Sequence, residues 1–597
     1  MFELENKMFD YSNEIDYLEA IINKGDNKGM FVADFETITD PNDCRVWAYA
    51  TCEIGNEDNI TYGNSIEKFM KWCETKGCNT TTYFHNLKFD GSFILDYLLN
   101  NNYKHIKNKK DREEKSFSTL ISEGLFYEIT VYFKRRGDRW SQVTFRDSLK
   151  LLPMSVDSIA KAFNLPISKL TLDYNAYRGK NHILTEDEVN YITNDVKIVA
   201  KAIKFLIDQG MNKMTTASNA MNEYKSIIGK NNFKYKFPEP MYDKDIRQSY
   251  KGGFTYLNPK YKEKEVRDGI VFDVNSLYPS VMYYDLLPYG DGIWYEGKYE
   301  EDDYYPLYVQ MISCSFEVKK DHIPTIQLKK NLRFLPTEYI SSSDDDIVTM
   351  VLTSVDLALF LDHYEVYNLT YHSGWKFKGT TGLFKDYIDK WSANKIKAKL
   401  EGNGGLYTLS KLMLNSLYGK FGSRTEGRQQ IPYLNEDGIL SFQIGEAEER
   451  KPVYIPMASF ITAYARNKTI RSAQSVYDRF IYADTDSLHL EGTEIPKQLD
   501  VDDTRLGAWK LESSFTRAKF IRAKTYVEDS NPEEAWNDPD KYDKKLFKIT
   551  CAGMPSKCYE NVTYDNFKSG AVYNGKLQSA RVKGGAVLKE TTFEIKI

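Results

Sequence analysis

Four carboxylates in the first third of the chain have the residue types and the spacing of a two-metal site. Asp34 and Glu36 lie two residues apart in the apolar segment ADFET, so a strand would present both on one face. Asp90 follows in YFHNLKFDG, and Asp195 lies four residues after Tyr191, which places those two on one helical face. Buried carboxylates are costly unless they are paired or bind metal, and hard cations such as Mg²⁺ prefer oxygen ligands. Two such ions could activate water and stabilise the leaving oxygen of a phosphodiester, with Tyr191 orienting that water.

A second set of carboxylates lies further along the chain. Asp273 stands at the end of a predicted strand in FDVNSLYP, and Asp484 and Asp486 stand at the turn of a predicted hairpin in YADTDS. An aspartate at a strand end and another in a hairpin can bridge two metal ions for phosphoryl transfer. The sequence therefore predicts a second metal-dependent site.

A helical segment between these motifs carries groups that suit a nucleoside triphosphate. In KLMLNSLYGK, the residues Lys411, Asn415 and Tyr418 follow at i, i+4 and i+7 and share one helical face. A cation, an amide and an aromatic ring on that face could bind the phosphates and then the base or sugar. Taken alone, the pattern also fits a solvated helix face with one packed tyrosine. Beside the two aspartate motifs, it favours nucleotide binding.

The first carboxylates require an α/β unit to position them. Residues 29–212 predict such a unit, because apolar strands precede a long helix. That helix has a predicted N-cap at Thr185, with Glu188 three residues on, and a predicted end at Gly210. Ahead of this unit, residues 12–24 predict an amphipathic helix.

The second carboxylates lie in a region of mixed elements. A strand enters a helix in GIVFDVNSLYPSVMYY, and RFIYADTDSLHLEG predicts a hairpin. Residues 285–380 predict short strands and turns, whereas residues 425–455 predict a polar hairpin between two helices.

Composition excludes several classes of protein. The chain has 597 residues, of which 42% are hydrophobic and 28% charged, so bulk disorder is excluded. Its 7 cysteines include no CxxC pair, which argues against a disulfide framework and structural zinc. No run approaches the roughly 18 apolar residues of a membrane helix, and the acidic N-terminus lacks the pattern of a secretory signal. We therefore expect a cytoplasmic protein that contacts no membrane.

The net charge of −5 conceals an asymmetry along the chain. Residues 1–60 carry 14 acidic against 4 basic residues, whereas residues 544–597 carry 10 basic against 4 acidic residues. This asymmetry could mean metal-bound carboxylates in one place and phosphate contacts in another. From charge alone, it is equally well explained if both stretches are simply solvent-exposed surfaces.

The motifs and their order resemble those of known enzymes. DxxSLYP, KxxxNSxYG and YxDTDS resemble the A, B and C motifs of family B DNA polymerases, and DFET, HNLKFD and YITND resemble the three exonuclease motifs of proofreading polymerases. FIRAKTY and YKGGF are similar to the KxY and YxGG motifs of that family. CRVWAY, TTGLFKD, VDLALF and GTEIP extend the resemblance to the small protein-primed DNA polymerases of tailed phages of the phi-twenty-nine type. The likeness runs from about residue 30 to the C-terminus.

The resemblance implies a multidomain fold of α/β and α+β type, with an RNase H-like 3′–5′ exonuclease domain before a right-hand polymerase. An N-terminal extension (1–28) would precede the exonuclease domain (29–212) and the polymerase domain (213–597). The implied parts of the latter are the palm (213–304, 381–390 and 458–552), insertion one (305–380), the fingers (391–421), insertion two (422–457) and the thumb (553–597). Insertion one would contact a terminal protein, and insertion two would help to enclose DNA. Residues 1–28 and 528–545 inherit no role.

The resemblance also assigns roles to individual residues. The exonuclease metals would be bound by Asp34, Glu36, Asp90 and Asp195, with Tyr191 and Lys169 assisting catalysis. The single-stranded 3′ end would be held by Thr37, His85, Asn86, Phe89, Ser148, Leu149 and Tyr174. The polymerase metals would be bound by Asp273, Asp486 and the carbonyl of Val274, with Asp484 as a further catalytic residue. The nucleotide would contact Tyr278, Lys395, Lys411, Asn415 and Tyr418, and the primer–template would contact Tyr250, Gly252, Gly253, Thr485, Lys524 and Tyr526.

Together these residues imply a DNA-directed DNA polymerase with proofreading and two Mg²⁺ ions in each active site, for which Mn²⁺ could substitute. Its partners would be primer–template and single-stranded DNA, deoxynucleoside triphosphates and a terminal protein whose hydroxyl starts each chain. Such an enzyme would replicate a linear phage-type genome processively, with strand displacement, in the host bacterial cytoplasm. It would be a monomer or a 1:1 heterodimer with the terminal protein. Protein priming and strand displacement rest on the resemblance alone.

Two other hypotheses stay open from the sequence. One is a nuclease whose polymerase half only binds DNA, and the other is a replication-associated DNA-binding protein without catalysis. Intact Asp273, Asp486 and Lys411 argue against the first, and retained nuclease and polymerase carboxylates argue against the second. An RNA polymerase is disfavoured by Tyr278, whose ring should clash with a ribose 2′-OH.

Overall fold

The computed structural model describes residues 29–76, 79–136, 139–173, 176–328 and 338–596. The helix predicted over residues 12–24 lies outside these ranges. The strands are β1 (Met30–Thr37), β2 (Val46–Glu53), β3 (Asn56–Gly63), β4 (Thr80–Phe84), β5 (Lys104–His105), β6 (Ser116–Ser122), β7 (Leu125–Arg136), β8 (Arg139–Asp147), β9 (Thr255–Leu257), β10 (Glu265–Val274), β11 (Leu287–Glu296), β12 (Leu307–Val318), β13 (Val348–Thr353), β14 (Tyr364–Thr380), β15 (Glu426–Leu434), β16 (Leu440–Glu449), β17 (Phe480–Asp484), β18 (Ser487–Glu491), β19 (Trp509–Arg522), β20 (Thr525–Asp529), β21 (Phe547–Cys551), β22 (Val572–Val582) and β23 (Gly585–Glu594).

The α-helices are α1 (Ile66–Thr75), α2 (Leu87–Asn100), α3 (Val156–Ala162), α4 (Glu186–Asp208), α5 (Thr216–Ile228), α6 (Lys230–Lys236), α7 (Asp243–Ile246), α8 (Leu277–Tyr284), α9 (Ser354–His363), α10 (Lys385–Leu400), α11 (Gly404–Phe421), α12 (Ile455–Ser475) and α13 (Ser556–Tyr559). In the ranges described, none of these helices is both long enough and apolar enough to cross a bilayer.

The first sheet carries the strand with the first two carboxylates. Its path is β16-β15-β6-β7-β8-β4-β1-β2-β3, with β5 beside β6. Strand β1 is parallel to β4 and antiparallel to β2, which places Asp34 and Glu36 near the middle of the N-terminal part of the sheet. Strand β2 is buried along almost its whole length, as expected for an interior strand covered on both faces.

Helix α4 covers β1 and β2 with an apolar stripe. Its buried residues Ile192, Val196 and Val199 recur at the spacing of one helical face. As predicted, Thr185 and Glu188 form a capping box at its start. Gly210 follows the end of the helix with a left-handed φ of 79°. The helix that carries Asp195 is therefore fixed at both ends and along one face.

A seven-stranded antiparallel sheet carries the second set of carboxylates. Its order is β21-β20-β19-β10-β18-β17-β9. Strand β10 lies in its middle, between β19 and β18, and ends next to Asp273. The predicted hairpin is confirmed as β17 and β18. Helix α12 packs against this hairpin and against α8 and α11.

Residues 285–380 form longer strands than predicted, so that prediction was wrong. Strands β12 and β14 have 12 and 17 residues and belong to the four-stranded sheet β11-β14-β12-β13. Two glycines that resemble turn signals lie inside β14. Gly374 leaves room for the ring of Tyr295, and a Cβ on Gly379 would lie 2.9 Å from the side chain of Leu286. These glycines serve close packing and do not mark turns.

Three distant parts of the chain meet at the edge of the first sheet. The predicted polar hairpin is confirmed as β15 and β16, and Gln429 of β15 pairs with Ser122 of β6. Leu440 of β16 and Val587 of β23 lie in the same apolar core as Phe93 of α2. The hairpin of β15 and β16 and the hairpin of β22 and β23 are therefore attached to the N-terminal part of the sheet by a shared core.

Candidate active sites

Six residues predicted for the first site come together, namely Asp34, Glu36, Asp90, Asp195, Tyr191 and Lys169. Strand β1 supplies the first two, the first turn of α2 supplies Asp90, and α4 supplies Asp195 and Tyr191. The Nζ atom of Lys169 lies 2.9 Å from Oδ2 of Asp195 and 5.7 Å from the centre of the Tyr191 ring. The lysine therefore joins the tyrosine to the acidic cluster.

Ionisation of the four acids in this cluster is disfavoured by burial and, for three of them, by the charge of a neighbouring acid. Burial, and then the charge of Asp195, raises the pKa of Asp34 to about 7. Burial, and then the charge of Asp34, raises the pKa values of Glu36 and Asp90 well above their ordinary values. Burial also raises the pKa of Asp195, and Lys169 opposes that shift. Lys169, and Arg178 toward Glu36, oppose these shifts only in part, so the cluster is short of positive charge.

The cluster fits hard divalent cations. Oδ1 of Asp90 and Oδ1 of Asp195 are buried and accept no hydrogen bond. Such oxygens are costly to bury, and a cation would remove both this cost and the mutual repulsion. Within the described ranges, no group of three or more His, Cys, Asp or Glu side chains is preassembled to hold a metal ion. The oxygen-only donor set of the four acids suits Mg²⁺ or Mn²⁺.

A hydrogen-bonded loop next to the first site holds residues predicted to contact a DNA 3′ end. Nδ1 of His85 lies 3.0 Å from Oγ of Ser148, and Nε2 of His85 lies 2.7 Å from the carbonyl oxygen of Met154. Asn86 precedes α2 with a left-handed φ of 77°. Its N–H donates to Oδ1 of Asp147 at 3.1 Å. The loop is therefore held by both its side chains and its backbone.

Asp147 organises this loop, although the sequence analysis did not identify it. Its Oδ1 accepts the backbone N–H groups of Asn86, Leu87 and Leu149 at 3.1, 3.3 and 3.0 Å. Its place at the end of strand β8, directly before SLK, could have indicated this role, because aspartate often binds backbone N–H groups in such turns. Asp147 thus links two segments that were predicted separately.

The remaining residues predicted at this site have different surroundings. Phe89 packs edge-on against Phe93, with ring centres 5.5 Å apart. Thr37 is the last residue of β1 and is half-buried. Tyr174 lies outside the residues that the structure describes.

The second carboxylate set is joined through the main chain. The N–H of Val274, the residue after Asp273, donates to the carbonyl oxygen of Asp486 at 2.8 Å. Thr485 has a left-handed φ of 60° between Asp484 and Asp486. The strand end and the hairpin turn are therefore held side by side by backbone geometry.

Asp273 lies in an acidic environment. Burial, and then the charge of Glu512, raises the pKa of Asp273 to about 6. Its Oδ1 is buried and accepts no hydrogen bond, so it also fits a cation. The sequence analysis missed Glu512, because its proximity arises only when β19 pairs with β10 and sets Lys510 opposite Asp273.

Asp484 is held by neighbours from two strands and from the turn between β19 and β20. Its carboxylate accepts hydrogen bonds from Thr255 Oγ1 at 3.1 Å and Tyr482 Oη at 3.2 Å. Lys524 Nζ lies 3.7 Å from the same carboxylate, and the N–H of Lys524 donates to Tyr482 Oη at 2.8 Å. The ring of Tyr526 is buried, with its centre 5.2 Å from that of Tyr482. Lys524 thus faces the carboxylate, while Tyr526 packs against the ring of Tyr482.

The predicted nucleotide-binding residues lie on facing helices. The rings of Tyr278 and Tyr418 are stacked, with centres 4.2 Å apart and an interplanar angle of 18°. Burial, and then the charge of Lys411, lowers the pKa of Lys395. Lys411 and Asn415 are exposed on α11, two turns and one turn before Tyr418, respectively. Two lysines and two stacked rings thus surround one space.

The YKGGF loop joins the second site to the four-stranded sheet. Arg466 of α12 donates from Nη1 to the carbonyl oxygen of Gly252 at 2.8 Å. Its Nη2 lies 2.7 Å from Oδ2 of Asp356 at the start of α9, and both side chains are buried. The Tyr250 ring packs over Gly422, directly after α11. Sequence reasoning missed this buried pair, because its partners are far apart in the chain.

A cavity of about 2350 Å³ connects these features. Its lining includes Asp273, Asp486, Tyr278, Lys395, Lys411, Asn415, Tyr418, Gly252, Gly253, Thr485 and Lys524. It extends to Tyr127 and Met154 next to the first site. The cavity far exceeds the volume of one nucleotide and runs from the second site toward the first.

Comparison with known proteins identifies the family. The model of the family described as "DNA polymerase type B, organellar and viral" matches residues 72–189 and 177–504. The DNA polymerase of Bacillus phage Nf is 46% identical over 581 residues, which cover 96% of this chain and 100% of that polymerase. The DNA polymerase of Bacillus phage phi29 is 45% identical over 577 residues, covering 95% of this chain and 99% of the phage protein. The chain belongs to this family of DNA polymerases.

Solved structures agree with this result. Phi29 DNA polymerase in complex with primer-template DNA and incoming nucleotide matches with a TM-score of 0.88 at 45% identity, covering 95% of this chain and 100% of that chain. The same polymerase in complex with single-stranded DNA also matches with a TM-score of 0.88, at 44% identity. The predicted fold class, a multidomain α/β and α+β protein with an exonuclease-type domain before a right-hand polymerase, is confirmed.

Proposed function

We propose that the chain is a protein-primed, DNA-directed DNA polymerase that proofreads through a 3′–5′ exonuclease. One observation carries the proposal: the main chain holds Asp273 and Asp486 side by side in a cavity that is also lined by Tyr278, Lys395 and Lys411. Two acids next to two cations and a stacked ring pair match the needs of a nucleoside triphosphate in phosphoryl transfer.

In the polymerase site, each residue has a proposed task. Asp273, Asp486 and the Val274 carbonyl would hold two Mg²⁺ ions, or Mn²⁺ in their place. These ions, when bound, lower the pKa of the attacking hydroxyl and neutralise charge on the phosphates. Lys395 and Lys411 bind and orient the triphosphate, and Lys524 holds the primer strand. Asp484, which already accepts hydrogen bonds from Thr255, Tyr482 and Thr485, fixes the shape of the turn.

A second set of residues supports selection of the nucleotide and the path of the DNA. The ring of Tyr278 excludes a ribose 2′-OH, and Tyr418 supports that ring from its other side. Asn415 contacts the nucleotide from the same face of α11. The polymerase-side contacts to primer and template are assigned to Tyr250, Gly252, Gly253, Thr485 and Tyr526.

The first site would remove mismatched 3′ ends. Asp34, Glu36, Asp90 and Asp195 would hold two further Mg²⁺ ions, which suits their unsatisfied oxygens and high pKa values. Tyr191 orients the attacking water, and Lys169, ion-paired with Asp195, stabilises charge near the scissile phosphate. The single strand would be held by Thr37, His85, Asn86, Phe89, Ser148, Leu149 and Tyr174.

Protein priming, strand displacement and the residue limits of the domains belong to the same proposal. The similarity to the DNA polymerases of Bacillus phages supports them. Residues 305–380 would contact a terminal protein, and residues 422–457 would help to enclose DNA. The enzyme would act as a monomer or a 1:1 heterodimer with the terminal protein in the bacterial host cytoplasm.

The test uses purified protein, Mg²⁺, four deoxynucleoside triphosphates and a primed single-stranded circle. Products much longer than the circle, formed without helicase or clamp, are the expected result. Extension that stops after one lap would retain polymerisation and contradict strand displacement. Shortened primers without extension would contradict the polymerase proposal and favour the nuclease. Initiation is tested separately, by transfer of labelled deoxynucleotide to the hydroxyl of added terminal protein.

A further inference from the structure

Gly253 lies unusually close to two side chains of the polymerase site. A Cβ built on Gly253 would lie 2.6 Å from Oγ1 and 2.7 Å from Cγ2 of Thr485, and 3.0 Å from Oη of Tyr278. The neighbouring Gly252 has no atom within 4 Å of the same position. Neither glycine has a left-handed φ, so the requirement at position 253 is one of space.

Thr485 cannot easily retreat from an added methyl group. Its N–H donates to the carbonyl oxygen of Phe254 at 2.6 Å, and its own carbonyl oxygen accepts the hydroxyl of Thr469 at 2.7 Å. Its left-handed backbone forms the turn that carries Asp486. Because Thr485 is β-branched and its backbone is bonded on both sides, it can relieve the contact only by turning its side chain.

Tyr278 is confined on its other side. Its ring is stacked on that of Tyr418 at 4.2 Å, which leaves no gap between the two rings. Its hydroxyl end points toward Gly253. An added methyl group at position 253 would therefore press on Thr485 and, less closely, on the hydroxyl end of Tyr278, so the stacked ring has to shift.

We infer that Gly253 is a positioning residue for sugar selection: its missing side chain allows Tyr278 to take the position in which its ring excludes a ribose 2′-OH. This inference rests on the proposed function, in which Tyr278 contacts the sugar. It assigns Gly253 a role distinct from any DNA contact that it shares with Gly252.

The test compares Gly253→Ala with Gly252→Ala, which adds the same methyl group to open space. For each protein, single-nucleotide insertion gives kcat and KM for a deoxynucleotide and for its ribonucleotide. We expect Gly253→Ala to lower the ratio of kcat/KM values, deoxynucleotide over ribonucleotide, by about tenfold or more. The loss for the deoxynucleotide should fall mainly on KM. Gly252→Ala should leave the ratio unchanged, whatever DNA affinity it loses.

A rescue variant tests the contact itself. Tyr278→Phe removes the Oη atom and keeps the ring, so the double variant Gly253→Ala/Tyr278→Phe should recover at least half of the lost discrimination on a logarithmic scale. Hydrolysis of a single-stranded oligonucleotide reports whether each variant is folded. If Gly253→Ala alone does not fold, the double variant, which lacks the Oη atom of Tyr278, is compared directly with Tyr278→Phe. The inference is supported if the double variant folds and has the same kcat/KM ratio as Tyr278→Phe. It is overturned if the double variant fails to fold or has a lower ratio.

Other outcomes distinguish failure of the role inferred for Gly253 from failure of the proposed polymerase function. A ratio in Gly253→Ala within twofold of the parent ratio, or an equal loss in Gly252→Ala, overturns the inference alone. No deoxynucleotide insertion by the parent protein overturns the proposed function and this inference with it. If Tyr278→Val leaves the ratio unchanged, Tyr278 does not exclude the ribose 2′-OH, and the inference is wrong.

Discussion

The N–H of Val274 donates a 2.8 Å hydrogen bond to the carbonyl oxygen of Asp486. This bond joins the end of β10 to the turn between β17 and β18, and neither aspartate side chain takes part in it. The backbone therefore holds the two segments that carry the carboxylates side by side before any ligand binds. Substitutions of these side chains can change the chemistry of the site while the fold around it stays the same.

Asp273→Asn should abolish synthesis and spare the exonuclease. Asparagine has nearly the same shape but lacks the charge that holds a cation, and several kcal/mol of transition-state stabilisation correspond to about 1,000-fold or more in rate. Primer extension and hydrolysis of single-stranded DNA, measured on one preparation, give both activities. Asp268→Asn, on an exposed position of the same strand, should change neither. Synthesis within tenfold of the parent would contradict the assignment of Asp273.

Mg²⁺ should stabilise the folded protein through the first site. Oδ1 of Asp90 is buried without a donor, so the Asp90→Asn variant should unfold at a higher temperature than the parent in EDTA. Adding Mg²⁺ at about 100 times its dissociation constant should stabilise the parent by about 2.7 kcal/mol and the variant by less. Thermal unfolding with and without Mg²⁺ measures both effects.

Asp96 provides the matched control for this prediction. It is buried on the same helix, but its carboxylate accepts hydrogen bonds from Asn100 at 3.0 Å and from the N–H of Gly584 at 3.3 Å. Asp96→Asn should therefore lose stability equally with and without Mg²⁺. A Mg²⁺ shift of the same size in Asp90→Asn and in the parent would exclude Asp90 as a ligand.

Two ion pairs between α9 and α12 should differ in their contribution to stability. Arg466 and Asp356 pair at 2.7 Å with side-chain exposures of 3% and 10%, whereas Arg471 and Asp362 pair at 2.7 Å with exposures of 49% and 57%. Asp356→Asn leaves a buried guanidinium without its counter-charge and should cost about 3–5 kcal/mol. Asp362→Asn should cost under about 1 kcal/mol. Urea unfolding of both variants compares these costs, and equal losses would refute the role of burial.

Lys420 should make stability depend on pH. It is 3% exposed, and burial lowers its pKa from 10.5 to about 7. Between these values the unfolded chain holds a proton that the folded chain has released, so this lysine makes stability rise with pH across that window. Its destabilising effect is complete below about pH 7 and disappears above about pH 10.5.

Lys420→Met should therefore be more stable than the parent at pH 7, by at least about 2 °C in the unfolding midpoint. The advantage should shrink at pH 9.5. Thermal unfolding across this range measures the difference, and Lys262→Met, at an exposed position, should show no such trend. A difference between Lys420→Met and the parent that stays constant with pH would count against the lowered pKa.

Local patterns predicted much of the architecture. The alternation around Asp34 predicts β1, Thr185 and Glu188 predict the start of α4, and the turn at Thr485 predicts a hairpin, because each signal lies within a few residues. The strand β14 was missed, since Gly374 resembles a turn signal until the ring of Tyr295 is placed against it.

The remaining features depend on contacts between distant segments. Asp147 binds N–H groups about 60 residues earlier, and Arg466 meets a partner 110 residues away. Glu512 reaches Asp273 only through the pairing of β19 with β10. A single sequence contains no periodic pattern that would predict such contacts between residues far apart in the chain. The resemblance to a known family predicted residue roles for which spacing alone gave no evidence.

The apolar core shared by Phe93, Leu440 and Val587 limits how this chain can be divided or recombined. A gene fragment that ends near residue 212 would encode strands β1 to β8 but lack the two hairpins that complete their sheet and its core. A hybrid that takes its first third from a distant relative would place unmatched side chains at the same junction. The N-terminal sheet and the two hairpins therefore have to be inherited as one unit, and recombination between divergent relatives should preserve them together.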